Sequence, residues 1–173
     1  MTDIKQIREL LSIAGTIAWP LGIVPSFHQV AIHTPDLFGG VEMLKLLGAT
    51  DWYYDTAELY GCIEDRPPTT IKAHMAFNYQ ILGGLELELL HYEGESRHSG
   101  RSGAFISHIS TYVDDINKSM RFMKPTGFRV CHTFETRNHT NPKFKGTNRK
   151  FIEVIYDTRE TLGFDIKLIE KVY

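Results

Sequence analysis

F27-H-Q-V-A-I-H-T34 and I106-S-H-I-S-T-Y-V113 are the two stretches on which the fold turns. Each interleaves apolar, β-branched and polar residues as a strand does, and each carries a histidine near its start, His28 and His108. The surroundings repeat as well. Thr34-Pro35-Asp36 and Asp114-Asp115 are acidic helix starts, and the helix-stopping glycines Gly48 and Gly127 follow the two histidines by 20 and 19 residues. Each half closes on an apolar strand, L85-E-L-E-L-L-H-Y92 or D165-I-K-L-I-E170. His28 precedes Glu88 by 60 residues and His108 precedes Lys167 by 59, so one half ends on a carboxylate and the other on an ammonium.

This duplication predicts an α+β fold of two tandem β-α-β-β-β modules, each curving a mixed sheet around half of a cleft. The boundaries follow from composition. Residues 1–26 read as an N-terminal helical extension, 27–94 as the first module, 95–104 as a Gly- and Ser-rich linker and 105–173 as the second module. Leu37, Val41, Leu44 and Leu47 recur at helical spacing in the first module, as do Ile116, Met120 and Met123 in the second. Such faces pack on a sheet and belong to the core.

With 173 residues, 42% hydrophobic and 23% charged, the chain has ordinary globular composition. A net charge of −2 argues against a dedicated nucleic-acid binder. Cys62 and Cys131 lie in different halves without metal-type spacing, which suits reduced thiols in the cytoplasm. The apolar run from Leu10 to Val24 lacks a small-residue cleavage pattern and is broken by Pro and Gly, so neither export nor a membrane span is expected. Residues 137–150 hold five basic residues and no acid. They suit either a solvated hairpin tip or an arm that meets an anionic substrate.

Two imidazoles and a carboxylate converging on one cavity suit a divalent metal, and His28, Glu88 and His108 are the candidates. Glu88 stands in a strand whose other face is leucine, and a carboxylate there needs a cationic partner. His33, His74 and His132 are weaker candidates with structural or substrate-contacting roles.

With those residues in view, the chain resembles the vicinal oxygen chelate superfamily, the group of glyoxalase-like enzymes, epimerases, extradiol dioxygenases and bleomycin-resistance proteins. The resemblance covers residues 27–172. L87-E-L-L-H-Y92 is similar to the motif around the first metal-binding glutamate of the glyoxalase-like members, and S107-H-I-S-T-Y-V-D-D115 resembles their second histidine strand. The resemblance implies four metal positions: His28, Glu88, His108 and residue 167, normally a glutamate. Here the last lies in G163-F-D-I-K-L168 and is Lys167.

Three readings of Lys167 stay open. A one-residue bulge would turn it outward. It could instead point inward and replace the metal by an ion pair with Glu88. Lastly, the metal could stay on His28, Glu88 and His108, with Lys167 as a base or as the holder of an anion. The resemblance implies a metal-dependent enzyme of lyase or isomerase type, using Zn, Ni, Mn or Fe(II) to polarise a carbonyl or enolate of a small oxygenated, anionic metabolite. Lys167 and Glu88 would be its catalytic residues. A metal-free binding protein of the bleomycin-resistance kind is the alternative, and a dioxygenase the third. The expected partners are a small-molecule substrate and a second copy of the chain, without nucleic acid or membrane.

Overall fold

The computed structural model describes residues 27–64 and 66–173. The expected N-terminal helix lies outside them. The first half runs β1 (Gln29–His33), α1 (Leu37–Leu46), β2 (Tyr53–Ile63), β3 (Thr69–Leu82) and β4 (Leu85–Glu93). The second repeats the order: β5 (Phe105–Val113), α2 (Ile116–Met123), β6 (Val130–Arg137), β7 (Lys150–Tyr156) and β8 (Asp165–Val172). A 3₁₀ turn, Lys124–Thr126, follows α2, and a one-turn helix, α3 (Arg159–Leu162), precedes β8. Neither stood out in the sequence, being too short for a helical period.

The eight strands close into a barrel in the order β1-β4-β3-β2-β6-β7-β8-β5. The first strand of each half pairs in parallel with the last, β1 with β4 and β5 with β8. Two antiparallel seams, β1 with β5 and β2 with β6, join the halves. At the second seam a Cβ on Gly61 would come within 1.7 Å of the Thr133 carbonyl oxygen, so only glycine permits that approach.

The helices begin where their acidic caps predict. Asp36 accepts the N–H of Gly39 and Asp115 that of Lys118, both at 2.9 Å, a kind of cap that contributes about 1 kcal/mol. Val41 on α1 packs against Ala76 and Leu89, with Leu37 and Leu44 alongside. Leu47 does not join them. It lies one residue past the helix and is 71% exposed. Ile116 and Met123 on α2 pack on Val113, Val154 and Leu168, with Met120 alongside. The helices thus cover the outside of the barrel and leave its interior for the side chains between them. Among the described residues, no helix is long and apolar enough to cross a membrane.

Candidate functional site

Side chains alternate across a strand, so register decides which residues meet inside the barrel. Gln29 pairs with Glu86 on β4 and Ser110 on β5, and Ala31 with Glu88 and His108. On the other side, His108 pairs with Asp165 and Ser110 with Lys167. The pattern maps onto itself when Gln29 is exchanged with His108, Ala31 with Ser110, Glu86 with Asp165 and Glu88 with Lys167. On this register 59 residues separate Gln29 from Glu88 and 59 separate His108 from Lys167.

Three of the four residues singled out in the sequence come together. Glu88, His108 and Lys167 are each at most 4% exposed. Glu88 Oε2 lies 3.3 Å from His108 Nε2, without the alignment of a hydrogen bond, and 3.8 Å from Lys167 Nζ. The β5–β8 register is unbroken from Asp165 to Glu170, so no bulge turns Lys167 outward. A further acid, Glu153 on β7, lies 3.4 Å from Lys167 Nζ and was not singled out in the sequence.

His28 stands apart from them. It precedes β1 by one residue, and its Nδ1 accepts the N–H of Tyr112 at 3.3 Å and lies 3.2 Å from Thr111 Oγ1. Gln29 occupies the inward place. Its amide is committed at both ends, Nε2 donating to Glu86 and Oε1 accepting from Ser110 Oγ at 2.8 Å. Tyr79 also donates to Glu86, and Tyr112 does so at 3.3 Å.

Burial raises the carboxyl pKa values of Glu88 and Glu153, and Lys167 opposes both shifts. Burial pulls Lys167 down, but Glu153 and Glu88 more than offset it, so the ammonium is held above the ordinary lysine range. His108 is pushed well below the usual imidazole range by burial, then by Lys167 and Arg159, so it is neutral. Its Nδ1 lies 3.1 Å from Ser107 Oγ.

Glu88, Glu153 and Lys167 line a cavity of about 460 Å³ inside the barrel. Phe77, Phe151 and Ile169 form apolar wall; Tyr53, Tyr112 and Tyr173 also line it. His108 lies instead beside a much smaller cavity, with His98, His132 and Asp165. His33 stacks against Phe105, and His74 bonds Thr56 and Glu93.

Neither the family models nor the curated proteins with which the chain was compared match it. Solved structures do. A variant of 4-hydroxymandelate synthase from Streptomyces coelicolor superposes with a TM-score of 0.54 at 13% identity, over 84% of this chain and 48% of that one. Methylmalonyl-CoA epimerase from Mycobacterium tuberculosis gives 0.53 at 17% identity, over 87% of this chain and 90% of the other. A hypothetical protein from Bacillus halodurans C-125 gives 0.50 at 20% identity, over 86% and 95%. The chain has the vicinal oxygen chelate fold. It spans about half the length of the synthase.

The register brings Gln29, Glu88, His108 and Lys167 to equivalent inward positions of the two halves, and the last three are positions at which the resemblance implies a metal. They do not fit one. A divalent ion needs three or more deprotonated or neutral donors, and only Glu88 and His108 supply them. Gln29 is committed to Glu86 and Ser110, and Lys167 brings a cation where a cation would have to bind. Among the described residues, no group of three or more His, Cys, Asp or Glu side chains is arranged to hold a metal.

Proposed function

We propose that this barrel binds a small anionic, carbonyl-bearing molecule and moves a proton on it without a metal ion, with the Lys167 ammonium as the fixed cation of the site. The observation that carries this reading is the ammonium itself, held inside the cavity 3.4 Å from Glu153 and 3.8 Å from Glu88. The carbonyl oxygen of the bound molecule accepts an N–H of Lys167. Glu88 takes the proton from the neighbouring carbon, the C–H electron pair moves into the enolate, and Lys167 stabilises the negative charge that appears on oxygen. Return of the proton to the opposite face of that carbon gives the epimer, and its delivery to oxygen the enol. Burial raises Glu88, which brings its proton affinity closer to that needed for such exchange near neutral pH. Glu153 helps keep Lys167 protonated. Phe77, Phe151 and Ile169 keep water from the enolate.

A second reading, binding without turnover, is favoured by the aromatic lining, to which Tyr53, Phe77, Tyr112 and Phe151 contribute. One experiment separates the two. The full chain is incubated in D₂O with pyruvate, 2-oxoglutarate, oxaloacetate or acetoacetate, and deuterium entry beside the carbonyl is followed by NMR with and without a chelator. Exchange above the solvent background that ignores the chelator, and that falls about a hundredfold in Glu88→Gln, is the expected result. Saturable binding without exchange favours the binding protein. Exchange that the chelator stops and added metal restores overturns the metal-free mechanism.

A further inference from the structure

The basic stretch 137–150 joins β6 to β7, and the structure brings part of it to the mouth of the cavity. Lys143 and Arg149 from this loop, with Lys171 from β8, line that mouth and are exposed. Each cation rests on an aromatic ring: Lys143 Nζ 4.7 Å from the centre of Tyr53, Arg149 Cζ 5.0 Å from Tyr173 and Lys171 Nζ 3.7 Å from Tyr112. Among the described residues, none of the three has a carboxylate within ion-pair distance. Lys150, which also lines the cavity, bonds Glu135 at 2.9 Å. The acids nearest the mouth are committed elsewhere, Glu86 to Gln29, Tyr79 and Tyr112, and Asp55 to the loop itself.

That second commitment matters. Asp55 Oδ1 accepts the N–H groups of Thr140 and Asn141 at 3.0 and 2.9 Å, and Oδ2 lies 2.6 Å from His139 Nδ1. Asn141 Nδ2 donates to the Tyr54 carbonyl at 2.9 Å. The base of the loop is therefore stitched to β2 around the buried Asp55 and His139, and Lys143 is presented from two residues beyond the last stitch. Cations positioned in advance lose less freedom when an anion arrives. Each is held by a ring, a weaker partner than a doubly charged oxyanion.

From this arrangement we infer that the mouth docks a phosphate-type dianion, so that the molecule in the barrel is a phosphorylated oxo compound with its carbonyl at Lys167 and its phosphate among Lys143, Arg149 and Lys171. Its inner end rests on the function proposed above; the mouth stands on its own geometry. Lys167, Ile169 and Lys171 are successive inward residues of β8, and four residues of strand span about 13 Å of backbone. Ile169 lies between the two cations. The molecule is thus expected to carry an apolar middle section rather than to be a three-carbon phosphate.

The test is calorimetry on the full chain at low salt, with inorganic phosphate and pyrophosphate as probes and acetate as the monoanion control. One phosphate or pyrophosphate site per chain is expected, weakened about tenfold or more in K143A/R149A/K171A and by added salt. These positions are exposed, so the triple variant should fold. Glu88→Gln should leave the phosphate affinity within about twofold, since it lies at the other end of the cavity. No saturable binding, affinity unchanged in the triple variant, or acetate binding as tightly as phosphate would each overturn the inference. A phosphate affinity raised well beyond twofold in Glu88→Gln and kept in the triple variant would overturn it too, by placing the anion inside, beside the Lys167 ammonium that Glu88 otherwise offsets. Failure of the deuterium exchange with phosphate docking intact would sink the proposed proton transfer and leave the mouth standing.

Discussion

Gln29, Ala31, Glu86 and Glu88 in the first half of the barrel stand where His108, Ser110, Asp165 and Lys167 stand in the second. The backbone register is the same in both, and the side chains have diverged in a complementary way. The first half holds Glu86 with neutral donors, from Gln29, Tyr79 and Tyr112. The second holds Asp165 with a guanidinium, Arg159, at 2.8 Å. At the centre, two carboxylates on equivalent strands would need an outside cation between them. A carboxylate on one strand and an ammonium on the other neutralise each other, and the barrel closes on its own charge. The comparison teaches that a duplicated backbone can carry different chemistry at equivalent positions, Gln29 against His108 and Glu88 against Lys167, while every strand keeps its place.

Removing the ammonium should break the comparison most severely. Lys167→Met leaves Glu88 and Glu153 buried without their cation, and breaking a buried pair in this way costs about 3–5 kcal/mol. Urea denaturation measures it. The pH dependence has a definite sign. Both acids have folded pKa values above the ordinary carboxylate value of 4.5, so the folded chain binds their protons more tightly than the unfolded chain. The contribution of these two acids is therefore fully present below about 4.5 and falls as pH rises from there towards the folded values. Without Lys167 to oppose the shift, the fall should steepen, and the variant should recover much of its loss between pH 8 and pH 5. Lys167 itself has a raised folded pKa, so its contribution in the unsubstituted chain is present below 10.5 and is lost as pH rises above the folded value. A Lys167→Met variant equally stable at pH 5 and pH 8 would show that the three groups do not share one buried charge balance.

Rebuilding symmetry is the second way to test it. The double variant Q29H/K167E places an imidazole and a carboxylate at the two deviating positions, beside Glu88 and His108. It should bind one divalent ion. At a hundredfold excess of metal over the dissociation constant the fold would gain about 2.7 kcal/mol, read as a shift in thermal unfolding that a chelator reverses. The unsubstituted chain should show no such shift. Stoichiometric metal in the unsubstituted chain, or none in the double variant, would mean that the equivalence of the halves does not extend to their chemistry.

Much of this was legible before any coordinates, and what escaped has identifiable causes. The order of elements and the caps at Asp36 and Asp115 follow from local patterns of charge and alternation, whereas the sequence leaves three readings of Lys167 open and the unbroken β5–β8 register removes the outward one. The sequence aligns His28 with His108, since an imidazole is a stronger metal ligand than an amide, whereas the register aligns Gln29 with His108. The unequal spacings of 60 and 59 residues already carried the correction, since a strict duplication requires them to agree. Glu153, and the pinning of the loop by Asp55 and His139, 84 residues apart, had no local signature. They depend on which strands the closed barrel makes neighbours, and no periodicity along the chain reports that.

The smallest effect separates His28 from Gln29 and so tests the register directly. Gln29 is 3% exposed and bridges Glu86 to Ser110 inside the barrel. Gln29→Ala strips a donor from a buried carboxylate and should cost about 1–3 kcal/mol. His28 is half-buried, and its ring lies against Tyr112 and Thr111. His28→Ala should cost less than about 1 kcal/mol, and it should leave phosphate affinity and deuterium exchange unchanged, because its side chain does not line the cavity. Urea denaturation of the two variants side by side decides the order. If His28→Ala proves the more costly, or if it alone abolishes exchange, then His28 and His108 are the equivalent pair after all, and Gln29 is a bystander of the first strand.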